Sequence, residues 1–306
     1  MLTHFADRLI AAVKQKQTPL IVGIDPRVSQ LPSPLAANQA DSPTAIANKV
    51  ASYCIELIDV VADLVPAVKP QSAFFELLGP HGMVALAAVI DHAKAKGLLV
   101  IMDAKRGDIG STANAYAHAF LGNTSQSSWA CDCLTVNPFL GADTLTPFVD
   151  VAHQTGSGLF VLTKTSNPES NWLQTTKNEQ SVPVYRMIAD HLQSLSAAHA
   201  GDSGYGNIGA VIGATYPDQL AELRSAMPNT LFLIPGFGAQ GGSANDVAPG
   251  LDDDGLGGLI NSSRGIIFAY EKSEYAHLPW TDAVRQATLN ARDRIAEGTS
   301  AGKLRG

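Results

Sequence analysis

The chain has 306 residues, 45% of them apolar and 16% charged, a globular composition with ample length for a buried core. Its net charge of −7 argues against non-specific binding to nucleic acid or to an anionic membrane, yet leaves room for a local basic pocket that takes a small anion. Three cysteines, Cys54, Cys131 and Cys133, make no disulfide framework and point to a reducing, cytoplasmic compartment, and the C-x-C at 131–133 has no second pair with which to hold zinc.

The N-terminal stretch MLTHFADRLIAAVKQKQ lacks the basic and apolar regions of a signal peptide. It carries Phe5, Leu9, Ile10 and Val13 at helical spacing, which predicts an amphipathic helix. No apolar run reaches the roughly 18 residues of a membrane span. Eight short apolar runs follow: PLIVGID (19–25), DLVPAVK (63–69), GLLVIMDAK (97–105), DCLTVNP (132–138), SGLFVLTK (157–164), NIGAVIGAT (207–215), TLFLIPG (230–236) and LGGLINSS (256–263). They lack polar alternation, as strands buried on both faces do. Between them lie helix-like segments, among them AIANKVASYCIELIDVVA, GMVALAAVIDHAKAK, STANAYAHAFL, LTPFVDVAHQT, VPVYRMIADHLQSLSAAHA and PDQLAELRSAM. Strand alternating with helix predicts parallel βαβ units. Eight of them within about 250 residues predict one closed (β/α)8 TIM barrel over residues 1–306. Long loops are expected after strand 1 (26–44) and strand 5 (165–181), on the face where function collects in such barrels.

Polar residues gather at the carboxyl ends of these runs: Asp25, Lys69, Asp103 and Lys105, Asn137, Lys164 and Thr165, Thr215, then Ser262, Ser263 and Arg264. The densest group is MDAKRGDIGST (102–112). Residues two apart on a strand share a face, so Asp103 and Lys105 should point into the barrel while Ala104 points out, with Lys69 in reach from the neighbouring strand. Asp108, beyond the permissive Gly107, faces either this site or a neighbouring subunit. The expected product is a lysine–aspartate–lysine–aspartate chain. An ion-pair network serving the fold alone is poor value, because desolvation can offset the attraction. Chemistry gives it a use. A substrate carboxylate about 4 Å from Asp103 would be repelled by roughly 4 kcal/mol at an effective dielectric near 20. That repulsion vanishes when CO2 departs, and Lys105 is at hand to protonate the carbanion. Such an array suits decarboxylation without a cofactor or a metal.

PGFGAQG (235–241) contains G-x-G-x-x-G after a strand, the mark of a dinucleotide fold. Here it follows strand 7, no acidic residue ends the next strand, and AQGGSANDVAPG is too glycine-rich to open a helix. In barrels the loops after strands 7 and 8 frequently bind phosphate. Glycine-loop amides, including Gly236, with the guanidinium of Arg264, would form that site. LDDDG (251–255) reads as an exposed acidic turn. The histidines show no H-E-x-x-H spacing, and there is no G-x-S-x-G elbow.

These residues together resemble the orotidine 5′-phosphate decarboxylase family, whose signature runs Asp-x-Lys-x-x-Asp-Ile-x-x-Thr and is matched by Asp103, Lys105, Asp108, Ile109 and Thr112. The KRGDI form and the chain length are similar to its longer, second-type branch. GIDPR, AVKPQSAFFE, PGFGAQGG and NSSRGI extend the likeness across the barrel. The resemblance implies that Lys105 donates the proton to C6 of the pyrimidine and that Asp103 presses on the departing carboxylate. Lys69 and Asp108 would complete the network, with Asp108 and Thr112 reaching the active site of a partner subunit in a homodimer. Asp25 would bind ribose hydroxyls, Gln240 and Arg264 the 5′-phosphate, and either Thr165 or Ser166 the base. A sugar-phosphate barrel using the same Asp-x-Lys with magnesium would want another acidic ligand where this chain has Lys69. A Schiff-base aldolase would want a lowered lysine pKa, which Asp103 and Asp108 oppose. A binding barrel that had lost catalysis would lack Asp103 or Lys105.

Overall fold

The computed structural model of the chain describes residues 4–122, 127, 129–238 and 242–306. Eight parallel strands pair in chain order, and the last pairs with the first, closing a barrel. They are β1 (Leu20–Ile24), β2 (Ala67–Pro70), β3 (Leu99–Arg106), β4 (Cys133–Val136), β5 (Gly158–Lys164), β6 (Ile208–Ile212), β7 (Phe232–Pro235) and β8 (Gly258–Ser262). Each falls within, or one residue beyond, its predicted run. The trimmed ends are where the chain turns and ladder bonds stop.

Helix α1 (Phe5–Lys16) precedes β1, and α2 (Pro43–Val61) follows it after the expected long loop. The start of α2 is fixed by Ser42, whose hydroxyl accepts from the Ala45 amide at 3.2 Å, with Pro43 at the first helical position. After β2 come α3 (Ser72–Glu76) and α4 (Gly79–Ala95). Then follow α5 (Gly110–Leu121) after β3, α6 (Thr146–Thr155) after β4, and α7 (Asn171–Gln174) and α8 (Val184–Ala198) after β5. The circuit ends with α9 (Pro217–Ala226), α10 (Ala244–Val247), α11 (Arg264–Ile267) and α12 (Trp280–Gly298). The sequence pattern missed α12 despite its 19 residues. Its buried face includes Ala283, Ala287 and Ala291, small residues four apart, with Val284, Thr288 and Ile295, and it packs on α2. Small side chains permit close approach but leave a faint hydropathy signal.

The strands carry apolar side chains to both faces, and each face has its own core. The outer layer joins the strands to the helices. The inner one stacks Ile21, Ile101, Cys133, Phe160, Leu233 and Leu259 inside the barrel. Helix α1 seals the amino end of that interior with Phe5, Leu9, Ile10 and Val13. Gly158 makes this closure possible, since a Cβ there would stand 2.1 Å from the Phe5 ring. Arg8 of α1 pairs with Asp132, which also accepts from the Val100 amide at 2.9 Å. Cys54, Cys131 and Cys133 are buried thiols, and burial holds their pKa above the usual range. With the amino end plugged, the carboxyl end of the barrel is left to open on solvent.

Candidate active site

At that open end Asp103 is 6% exposed and accepts four hydrogen bonds. Lys69 Nζ, from the end of β2, reaches Oδ2 at 2.6 Å, and Gln71 Nε2 reaches the same oxygen at 3.0 Å. Lys105 Nζ reaches Oδ1 at 2.6 Å, and Thr135 Oγ1, from β4, donates to it at 3.0 Å. Burial alone would raise the carboxyl pKa. Lys69 and Lys105 override burial and hold it well below the usual carboxylate range. Burial likewise works against the charge on Lys69, which is 5% exposed, but Asp103 and then Asp25 outweigh it and raise its pKa. The cluster is therefore a fixed carboxylate clamped between two ammonium groups.

The backbone under this cluster is not a regular strand. The β3–β4 register shifts between Met102 and Arg106, and Lys105 takes a left-handed φ of 46°. A non-glycine residue there costs on the order of 1–3 kcal/mol and persists only where its surroundings hold it. Thr135 does so. Its Oγ1 accepts from the Lys105 amide at 2.9 Å while donating to Asp103. Ala104 packs outward into the helical layer, as alternation requires. The Lys105 side chain is 46% exposed, against 8% for that of Asp103, so its ammonium lies at the rim.

Two cavities meet over Asp103. The larger, about 910 Å³, is lined by Lys69, Asp103, Lys105 and Thr135 on one side and by Thr165, Ser166 and Gln174 of the loop after β5 on the other. Thr165 is oriented by Gln174, whose Oε1 accepts from its amide at 2.9 Å and whose Nε2 donates to its hydroxyl at 2.8 Å. The smaller, about 180 Å³, joins Asp25, Lys69, Asp103, Gly236, Asn261 and Arg264. Asp25 Oδ1 and Asn261 Oδ1 are buried there without a hydrogen-bond partner among the described residues. Two orphaned acceptors in one small space call for a ligand with donors, such as sugar hydroxyls. Gly236 (φ 108°) and Gly238 (φ 79°) turn the loop after β7 through backbone that side chains disfavour, and Arg264 opens α11 beside them. Gln240, assigned to the phosphate on sequence grounds, lies outside the described residues.

Asp108 and Thr112 are not brought into the cluster within one chain. Asp108 Oδ1 accepts from the Ile109 amide at 2.8 Å, and Thr112 is exposed in the first turn of α5. Of the four charges expected in series, the structure joins Lys69, Asp103 and Lys105. Sequence reasoning missed Gln71, Thr135 and Asn261. All three stand two residues from a flagged position at the same strand end (Lys69, Asn137 and Ser263), and that spacing was the available signal.

The likeness to known proteins agrees with this geometry. The family model for the orotidine 5′-phosphate decarboxylase / HUMPS family matches residues 18–277. An orotidine 5′-phosphate decarboxylase of Rhodopirellula baltica is 48% identical over 298 residues, spanning 95% of this chain and 98% of that one. Its counterpart in Deinococcus radiodurans is 38% identical over 295 residues, spanning 96% and 98%. The solved structure of Leishmania donovani OMP decarboxylase superposes with a TM-score of 0.74 at 31% identity, covering 97% of this chain and 98% of that one. An Asp-x-Lys pair clamped by Lys69 at a barrel mouth, on a chain matched nearly end to end by such relatives, leads to one conclusion: the chain belongs to the orotidine 5′-phosphate decarboxylase / HUMPS family.

Proposed function

We infer that the protein converts orotidine 5′-phosphate to uridine 5′-monophosphate and CO2, the last step of de novo pyrimidine nucleotide synthesis, without a cofactor or a metal. One observation carries the reading: the buried Asp103 carboxylate is clamped at 2.6 Å by both Lys69 and Lys105. With the base in the larger cavity against Thr165 or Ser166, its C6 carboxylate would stand beside Asp103. The depressed pKa of Asp103 supports this role, because the group cannot escape repulsion by taking a proton. When the C6–carboxylate bond breaks, its electron pair stays on C6 and CO2 leaves neutral. The Lys105 ammonium faces the developing carbanion, transfers a proton to C6, and becomes an amine. Its rim exposure allows solvent to restore that proton.

Asp25, with the Asn261 acceptor, would take the ribose hydroxyls. Gly236, Gln240 and Arg264 would hold the 5′-phosphate, whose binding energy can serve to close loops over the reacting base. The whole chain, residues 1–306, would work as one barrel domain in the cytoplasm. A homodimer would carry Asp108 and Thr112 into the partner's site. Ile109, Phe139 and Leu140, on the loops after β3 and β4, are 64%, 70% and 52% exposed, and a second copy would cover such an apolar surface. A magnesium-dependent sugar-phosphate reaction fits less well, because Asp103 is already neutralised by two cations. The deciding experiment follows orotate absorbance after mixing protein with orotidine 5′-phosphate in EDTA. The signal should fall with wild type and persist with Lys105→Ala. An inert wild type that turns over a 6-phosphosugar with magnesium would overturn the reading.

A further inference from the structure

Arg264 stands between two spaces. On its inner side is the 180 Å³ cavity it shares with Asp25, Lys69 and Asp103. On its outer side is a cavity of about 590 Å³, lined by Arg27, Lys272 and Arg294 together with Gly238 and Glu271. Three cations besides Arg264 therefore face one carboxylate across a concavity. Glu271 is engaged by Gln30 Nε2 at 2.7 Å. Among the described residues, the side-chain hydrogen bond of Arg27 goes to the neutral Gln30 Oε1, at 3.3 Å. Arg294 donates to the Asn290 carbonyl at 3.3 Å and lies 5.7 Å from the Phe237 ring centre. Among the described residues neither arginine forms an ion pair. Lys272 donates to the Gly265 carbonyl at 3.0 Å and stands 4.0 Å from Glu274.

Scattered surface arginines are solvated singly and need no partner. These share one pocket, repel one another, and lower their free energy when an anion joins them. A phosphate monoester carries about −1.5 to −2 charges near neutral pH. Arg264 and the glycine-loop amides on its inner side already meet that charge. Arg27, Lys272 and Arg294 line the outer cavity and not the inner one, so their charge is surplus to a monophosphate held inside.

We propose that the outer cavity is a second anion subsite, which takes the second phosphate of a pyrimidine nucleoside 5′-diphosphate. The proposal rests on the assignment of the inner cavity to ribose and 5′-phosphate. Arg294 and Arg27 bind the added phosphate through forked hydrogen bonds, and the diphosphate competes with the substrate. The site thus senses the phosphorylated products that lie downstream of its own.

Calorimetric titration of UMP and of uridine 5′-diphosphate, both in EDTA, tests this on wild type, Arg294→Ala and the double variant Arg27→Ala/Arg294→Ala. The diphosphate should bind wild type about tenfold more tightly than UMP, the lower end of what one charge-assisted hydrogen bond contributes. That advantage should shrink in Arg294→Ala and fall within about twofold in the double variant, while UMP affinity stays the same and reports an intact fold. Equal binding of the two nucleotides by wild type, or an advantage that survives the double substitution, overturns the proposal. Failure of UMP itself to bind would bring down the inner-site assignment and this inference with it. A diphosphate that gains nothing while UMP binds brings down the outer subsite alone.

Discussion

Asp103→Asn separates electrostatic pressure on the substrate from mere positioning of Lys105. In wild type the substrate carboxylate would stand about 4 Å from Asp103, a repulsion of roughly 4 kcal/mol at an effective dielectric near 20. Lys69 and Lys105 each hold one Asp103 oxygen at 2.6 Å, which takes up part of that field. Half of it, about 2 kcal/mol, is a reasonable floor for what the substrate feels. At about 1.4 kcal/mol per decade, the range corresponds to roughly 30-fold to 10³-fold. Asparagine keeps the shape and removes the charge. Turnover should fall by about that range, while orotidine 5′-phosphate binds more tightly relative to UMP, which lacks the carboxylate. A fall in kcat together with a fall in KM is the mark of removed ground-state destabilisation. The ratio of the two dissociation constants, measured by calorimetry alongside kcat, is the readout. The variant also strips Lys69 of its stronger carboxylate partner and leaves it Asp25, at a stability cost of up to about 3–5 kcal/mol, so binding is measured well below its melting temperature. An unchanged ratio with kcat lost would refute the reasoning and leave Asp103 as a residue that only positions Lys105.

Stability should depend on pH in two separate places. Asp103 is depressed in the folded state, so its contribution is full above the unfolded carboxyl pKa of about 3.9 and is lost as pH falls toward the folded value. Lys69 is raised, so its contribution is full below about 10.4 and is lost as pH rises through the folded value. Thermal melts should show both losses in wild type and neither of these components in Lys69→Met/Asp103→Leu. Lys164 is 1% exposed and has no carboxylate partner among the described residues. Its charge is met by Ser170 Oγ at 2.9 Å and by the Tyr216 ring, 4.2 Å away. Burial lowers its pKa, so the charged form destabilises the fold at neutral pH and does so less as pH rises. Lys164→Met should raise Tm at pH 7 by roughly 2 °C, for about 1 kcal/mol, with the gain fading toward pH 10; a loss of Tm would show that the Ser170 and Tyr216 contacts outweigh desolvation. Gly158→Ala forces a methyl into the Phe5 ring, and overpacking of this kind costs about 1–3 kcal/mol. Urea denaturation should show the lowered midpoint, and Phe5→Leu in the same chain should recover part of it.

The barrel was legible because its strands are buried on both faces, so LIVGI or GLFVLTK reads as a continuous apolar run with no solvent face to interrupt it. The charged residues were legible for the converse reason. Asp103 and Lys105 end such a run, where a charge has no purpose in packing. The neutral partners left no such contrast. Thr135 sits in CLTV, and threonine is an ordinary strand former, so its residue type carried no news. Its function arises from the neighbouring strand, where it accepts from the Lys105 amide and donates to Asp103. A one-dimensional pattern does not hold that cross-strand register.

The left-handed turn at Lys105 was illegible for a deeper reason. Alternation alone would have carried Asp103 and Lys105 to the same face, and they do converge, but through a register shift at a non-glycine residue held with φ at 46°. Strain of this kind is absent from local propensity because the surroundings impose it. Here those surroundings are Thr135 beneath the amide and the Asp103 carboxylate at the far end of the side chain. Asp108 marks the other limit. It lies three residues from Lys105 in the signature, yet its Oδ1 accepts from the Ile109 amide, and among the described residues it forms no ion pair with the cluster. A role for it in a second copy is the proposal made above, and a single sequence carries no coordinate for that copy. The charge cluster thus reads in layers. Residue types announce that a site exists, strand spacing says which members share a face, and only the closed barrel tells which carboxylate is clamped and which is left out of the cluster.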